Sequence, residues 1–232
     1  MCSFKDFIEN LNDEEKENYE MYNVIRGKQI YRIVYEALNG KFNFDYTEMN
    51  RIIRCDKALK DILYKYLAII EEMIKSYLFS NYDLSKDITI GLDNGKKIPF
   101  KDINNNLIKR NVIDGEITYL YKAYSLPFSQ LIKLLENKKD YTYDLEKLKI
   151  INELRNKVMH HYLLLFDENS KSLNERLENQ IYVLISVLPR RYLIGNDEKK
   201  GFIEELNIPI NKTKEKTNHK FDSILVNIEK RF

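Results

Sequence analysis

Three observations predict an all-α chain, a helical bundle with short N-terminal helices and a polar C-terminal extension. Only 7 Gly and 4 Pro occur in 232 residues, too few turn-formers for a fold of many short strands. Apolar residues recur at i, i+3, i+4 over several long stretches, the spacing of a helix face. Hydrophobic residues make up 44% of the chain, enough for a real core in one large domain or one domain with small appendages.

The elements follow in order. Residues 1–50 read as two or three short helices, with Phe4, Phe7, Ile8 and Leu11 forming one stripe. Val24, Ile25, Tyr31, Val34 and Leu38 continue the pattern until Asn39-Gly40 stops it with a left-handed residue. Asp56 then reads as the N-cap of the clearest helix, whose face carries Leu59, Ile62, Leu63, Tyr66, Ile69, Ile70, Met73 and Tyr77. Residues 80–125 are irregular, with Asn94-Gly95 as a hairpin turn after Ile88-Thr89-Ile90. Pro127 starts a helix through Leu131, Ile132, Leu134 and Leu135. A further helix spans roughly 144–166. The next carries Leu173, Leu177, Ile181, Leu184, Ile185 and Leu188, and Pro189 stops it. After Gly195-Asn196 the chain turns polar, with Lys212–Thr217 as a loosely held connector before a short final helix near 220–231.

Net charge is +2 and pI about 8.2, so no global basic field marks a nucleic-acid partner, although 38 Lys+Arg against 36 Asp+Glu permit local patches. Cys2 and Cys55 are too few for a disulfide framework or a zinc site. No apolar leader and no run of ~18 apolar residues occurs, so a cytoplasmic location with no membrane partner is expected. There is no phosphate-binding Gly-rich loop, no G-x-S-x-G and no H-E-x-x-H, which sets aside NTPases, serine hydrolases and zincins.

The most informative stretch is Leu154-Arg155-Asn156-Lys157-Val158-Met159-His160-His161, which reads R-N-x-x-x-H in a helical context. With 3 His, 10 Arg and 24 Asn in the chain, an Arg-Asn pair with a histidine at any of the three R-x4–6-H spacings arises by chance roughly 0.04 times. Arginine, asparagine and histidine without metal ligands suit RNA cleavage. The ribose 2′-OH is the nucleophile, so the protein needs only a proton shuttle and a cation for the phosphorane.

On a helical wheel, Leu148, Ile151, Leu154, Val158, Tyr162 and Leu165 gather in one core-facing arc. Arg155 lies at its edge, and His160 nearly opposite, with Asn156 beside it at i−4. A partly buried Arg155 needs a carboxylate or carbonyl partner. Leu163 and Leu164 share the outer side with His160. Outward leucines beside an outward histidine suggest docking of a second copy, which would bring two His160 side chains together. A purely structural reading stands beside this one, in which Arg155 serves a buried acid and His160 is a surface histidine.

These residues resemble the HEPN domain, an all-α ribonuclease family whose signature is R-x4–6-H, and specifically its Abi-like (abortive infection) branch, where the helix reads approximately R-N-x-x-x-H-H. A second stretch is similar to the family's D-x-x-L-R segment and following I-E-x-x-[LI]-R helix: Asp56-Lys57-Ala58-Leu59-Lys60, then Ile70-Glu71-Glu72-Met73-Ile74-Lys75. Pro127-Phe128 is similar to a Pro-Phe or Pro-Leu step before a third helix. The likeness covers roughly residues 51–188. Lys60 and Lys75 stand where arginine is commoner, and Tyr162–Phe166 replaces a more polar run.

The resemblance implies a HEPN-like bundle over 51–195, flanked by the N-terminal helical segment 1–50 and the polar connector and short helix of 196–232. It implies a homodimeric endoribonuclease of phage defence or toxin type that needs no metal or other cofactor and leaves 2′,3′-cyclic phosphates. His160 would be the general base or acid, Arg155 would bind the scissile phosphate, and Asn156 would orient it or hold the dimer. Glu71, with Glu72 as competitor, is the expected partner of Arg155, and His161 a packing or hydrogen-bonding histidine. RNA is the implied substrate, with an inhibitory RNA or protein antitoxin as a further partner. The rival class is a non-catalytic RNA- or protein-binding HEPN module. Tyr119, Tyr121, Tyr124, Tyr141 and Tyr143, interleaved with Lys109, Arg110, Lys122, Lys138 and Lys139, suit stacking on single-stranded RNA or a lattice of half-buried tyrosines.

Overall fold

The computed structural model describes residues 3–84, 87–91, 97–99, 126–138, 144–196 and 199–229. Its elements are α1 (Phe4–Glu9), α2 (Asp13–Arg26), α3 (Lys28–Leu38), α4 (Tyr46–Asn81), β1 (Thr89–Gly91), β2 (Lys97–Pro99), α5 (Phe128–Glu136), α6 (Leu145–Met159), β3 (Phe166–Asp167), β4 (Ser172–Leu173), α7 (Leu177–Val187), α8 (Arg190–Leu193), β5 (Gly195–Asn196), β6 (Lys199–Lys200), α9 (Phe202–Lys216) and α10 (Asp222–Glu229). The fold is mostly helical, as expected. Strands occur among the described residues only as short antiparallel pairs: β1 with β2, β3 with β4, β5 with β6. The hairpin at Ile88–Ile90 exists, while its Asn94-Gly95 turn lies outside the described residues, as do the five tyrosines from Tyr119 to Tyr143 and their basic neighbours other than Lys138.

The chain divides into two compact units, residues 1–67 with 153–232, and residues 68–152. The second unit buries Ile70, Ile74 and Leu78 of α4, Phe128, Leu131, Ile132 and Leu135 of α5, and Leu148 and Ile151 of α6. Lys138 closes on Asp87 at 2.7 Å and lies over the Tyr82 ring.

The first unit holds the motif. Its two opening helices each carry a reciprocal cap, Ser3 with Asp6 and Asn12 with Glu15, which satisfies amide groups that a helix start leaves unpaired. Phe4 and Phe7 pack on Tyr35 of α3, at 5.4 and 4.9 Å between ring centroids, so the predicted first stripe is real. Val24 departs from expectation: it is 88% exposed, on the α2 side of Gly27 at φ +82°, while Tyr31, Val34 and Leu38 of α3 turn inward.

Asp56 does not start a helix. Asp45 and Glu48 form the reciprocal cap, through Glu48 N–H to Asp45 Oδ1 at 2.7 Å and Asp45 N–H to Glu48 Oε2 at 3.2 Å. Asp56 is therefore in the interior of α4 and fully buried.

Three further expectations are overturned. The motif helix stops at Met159 instead of running to 166. Leu173 belongs to a β-hairpin and not to the helix at 177–187. Lys212–Thr217 is the last part of α9 and its cap, with Thr213, Lys214 and Thr217 buried. The threonines enter the interior by satisfying their own hydroxyls: Thr213 Oγ1 donates to the Pro209 carbonyl at 2.7 Å and Thr217 Oγ1 to the Thr213 carbonyl at 2.8 Å. The short final helix is present as α10, which packs on α7 and α9. Among the described residues no helix is long and apolar enough to cross a membrane.

Candidate functional site at the end of α6

Leu154 and Val158 are buried on one side of α6, which leaves Asn156 and His160 exposed and Arg155 half-buried between them. His160 N–H donates to the Asn156 carbonyl at 3.0 Å, so the two residues stand one turn apart at the end of the helix. The His160 ring lies 6.0 Å from that of Tyr162, inclined at 44°. Tyr162 was expected in the core arc, yet it is 50% exposed.

The helix ends as a Schellman motif built on the double histidine. His161 adopts φ +59°, its N–H donates to the Val158 carbonyl at 3.2 Å, and Tyr162 N–H donates to the Lys157 carbonyl at 2.9 Å. His161 thus sits where glycine is commonest. Its side chain is exposed, not packed, and it is the backbone that the fold uses. His161→Gly should relieve the left-handed strain and raise stability by about 0.5–1 kcal/mol in a urea titration, with RNA cleavage intact if His160 carries the chemistry. A loss of stability would show instead that the imidazole is needed.

Beyond the cap the chain turns inward. Leu163 and Leu164 are 2% and 0% exposed, so they form core and not the docking face expected of them. What permits this is the buried carboxylate of Asp56. Its Oδ1 accepts from Leu164 N–H at 2.7 Å and Leu165 N–H at 2.8 Å. Lys60 Nζ stands 2.9 Å from Oδ2 as an ion pair and 3.5 Å from the His161 carbonyl. Glu168 Oε1 takes Leu163 N–H at 3.0 Å, while Asn174 donates from its side chain to the Leu164 carbonyl and from its backbone to that of Leu165. An irregular buried segment is affordable only when its amides and carbonyls are matched in this way.

Asp56 and Lys60 are the D-x-x-L-K residues singled out from the sequence. Their work is to hold the segment that follows the histidines. The i, i+4 spacing and the burial pattern of α4 were the available signals; the partners, more than 100 residues away, left none.

Glu71 belongs to the other unit, where its carboxylate accepts from Lys75 Nζ at 2.8 Å, both side chains being largely buried. Among the described residues no three His, Cys, Asp or Glu side chains gather as metal ligands.

The β3–β4 hairpin that follows is tied by two carboxylates. Asp167 Oδ1 accepts from Asn169 and Ser170 N–H, each at 2.9 Å, and Lys171 pairs with Glu36 of α3 at 2.7 Å. The Ser170 amide holds the Asp167 carboxyl below its ordinary range, and Lys171, then Arg32, does the same for Glu36. A lowered folded value means stabilisation that is complete above the unfolded value, near pH 4, and lost as pH falls through the folded one. Wild-type protein should therefore lose more stability than Glu36→Gln between pH 6 and pH 3 in urea titrations; equal losses would remove Glu36 from the account. No family model, no curated protein sequence and no solved structure matches this chain.

Proposed function

We propose that this protein is a metal-independent endoribonuclease of the Abi-like HEPN type, a toxin or abortive-infection effector, with Arg155, Asn156 and His160 as its catalytic residues. The observation that supports the reading most is the placement of Asn156 and His160, exposed one turn apart at the end of α6 with Arg155 adjoining. A histidine acting on RNA must be open to solvent and held at a fixed place, and the matched backbone from His160 to Leu165 supplies the second condition.

His160 takes the proton of a ribose 2′-OH. The oxygen attacks the adjoining phosphorus, and the bond to the 5′-oxygen breaks as that oxygen gains a proton. The products are a 2′,3′-cyclic phosphate and a 5′-hydroxyl. The Arg155 guanidinium matches the phosphorane's equatorial charge, and Asn156 orients the phosphate. Base and acid are both needed, which a homodimer with two His160 side chains provides. With Leu163 and Leu164 buried, that dimer rests on the family resemblance alone.

The test is total cellular RNA incubated with purified protein in EDTA and the product ends mapped. Cyclic phosphates made without a divalent ion support the reading. Activity that EDTA abolishes and Mg²⁺ restores overturns the mechanism, and RNA bound tightly but never cut favours the non-catalytic module.

A further inference from the structure

A second site lies in the same unit as the motif, on a different face of α4. A cavity of about 600 Å³ opens between α2, α4 and α9. Arg51, Arg54, Cys55 and Ala58 bring α4 to its wall, whereas Asp56 and Lys60, which hold the motif segment, project from the roughly opposite side of that helix at ~100° per residue. The cleft is therefore not an extension of the His160 surface.

Its polarity is graded from mouth to floor. Arg54, Lys212 and Lys216 are exposed at the mouth, with half-buried Arg51 just inside. Arg51 is held by a hydrogen bond from its guanidinium to the Lys216 carbonyl, and the Arg54 guanidinium lies over the Tyr22 ring at 5.7 Å. Glu14 and Glu15 also line the cleft, leaving two net positive charges, and the Glu15 carboxylate is occupied in capping α2.

The floor is neutral and polar. Tyr46 is 3% exposed, and its buried hydroxyl has no hydrogen-bond partner. Asn50, 7% exposed, accepts from the Tyr31 hydroxyl at 3.2 Å through its carbonyl oxygen, which leaves its amide N–H groups for another acceptor. Cys55 completes the floor, and burial pushes its thiol up to about 11, so it contributes shape and not a nucleophile. An orphaned buried hydroxyl is costly unless a ligand or water satisfies it.

We propose that this cleft binds a nucleoside 5′-phosphate, free or at the 5′ end of an RNA, with its phosphate on Arg51, Arg54, Lys212 and Lys216 and its uncharged hydrogen-bonding end toward Tyr46 and Asn50. An inorganic anion would satisfy the mouth and leave the floor orphaned. An uncharged nucleoside would satisfy the floor and leave the net positive charge of the mouth unmatched. The volume lies within the range of small-ligand sites. The inference stands independently of RNA cleavage at His160.

Calorimetric titration of the full chain with the four nucleoside 5′-monophosphates, the corresponding nucleosides, inorganic phosphate and a 5′-phosphorylated dinucleotide tests it. At least one nucleotide should bind about tenfold or more tighter than both its nucleoside and phosphate. The double variant R54A/K212A, changed only at exposed side chains, should lose at least about tenfold in that affinity, and Tyr46→Phe a smaller factor with the same fold. Preference for the free monophosphate assigns the cleft to a small effector, and preference for the dinucleotide assigns it to an RNA end. No binding at millimolar concentration overturns the proposal, as does binding that the double variant leaves unchanged or a dinucleotide affinity indifferent to its 5′-phosphate.

Discussion

RNA cleavage by a His160→Ala protein should fall by about 10²–10⁴-fold, the usual contribution of a positioned proton-transfer group. The side chain is exposed at a helix end, so its truncation should move stability by no more than about 0.5 kcal/mol. That separation makes the variant informative: the urea midpoint and RNA affinity should match wild type while cyclic-phosphate products disappear. Arg155→Ala should also abolish cleavage. Being half-buried, however, it is expected to disturb the fold as well, and it is the weaker test of chemistry. If His160→Ala cleaves at the wild-type rate, the catalytic assignment is wrong, whatever the protein binds.

The largest expected effect on stability belongs to Asp56→Ala. The change leaves Leu164 and Leu165 N–H without their acceptor and deprives Lys60, whose side chain is 12% exposed, of its counter-charge. Breaking a buried pair from one side costs about 3–5 kcal/mol, a large fraction of the ~5–15 kcal/mol that a domain commands. Asp56→Asn keeps a carbonyl oxygen for both amides and should be milder than alanine. Urea titrations of the three proteins check the order wild type, Asn, Ala. An alanine variant within about 1 kcal/mol of wild type would mean that the segment after the histidines is held by its leucines alone.

The helix faces of α4, α5 and α7 were legible because their apolar spacing is local. What misled was the apolar run from Tyr162 to Phe166. On a wheel it extends α6, since nothing in a His-His pair announces a left-handed residue and the buried carboxylate that receives the turn comes from α4. Asp56 itself looked like a helix start because an isolated aspartate before an apolar stripe usually is one. The polar tail was misread for the complementary reason: threonines that bond back to their own helix can be buried as readily as valine, and composition does not record it. Within the motif, the exposure of Asn156 and His160 and the half-burial of Arg155 match the wheel, since Arg155 and Asn156 lie within α6 and His160 directly follows its last residue.

The unit that carries His160 is written in two pieces, 1–67 and 153–232, and the bonds from Asp56 to Leu164 and Leu165 join positions 108 and 109 residues apart. A ribosome adding about 5–20 residues per second delivers the first piece many seconds before its complement. Helices α1 to α3 and the start of α4 therefore emerge before the tail that completes their unit. A chain truncated before α9 carries the whole R-N-x-x-x-H sequence without the fold around it. For a protein proposed to destroy RNA in the cell that makes it, activity is then expected only once α9 and α10 have been added to the unit.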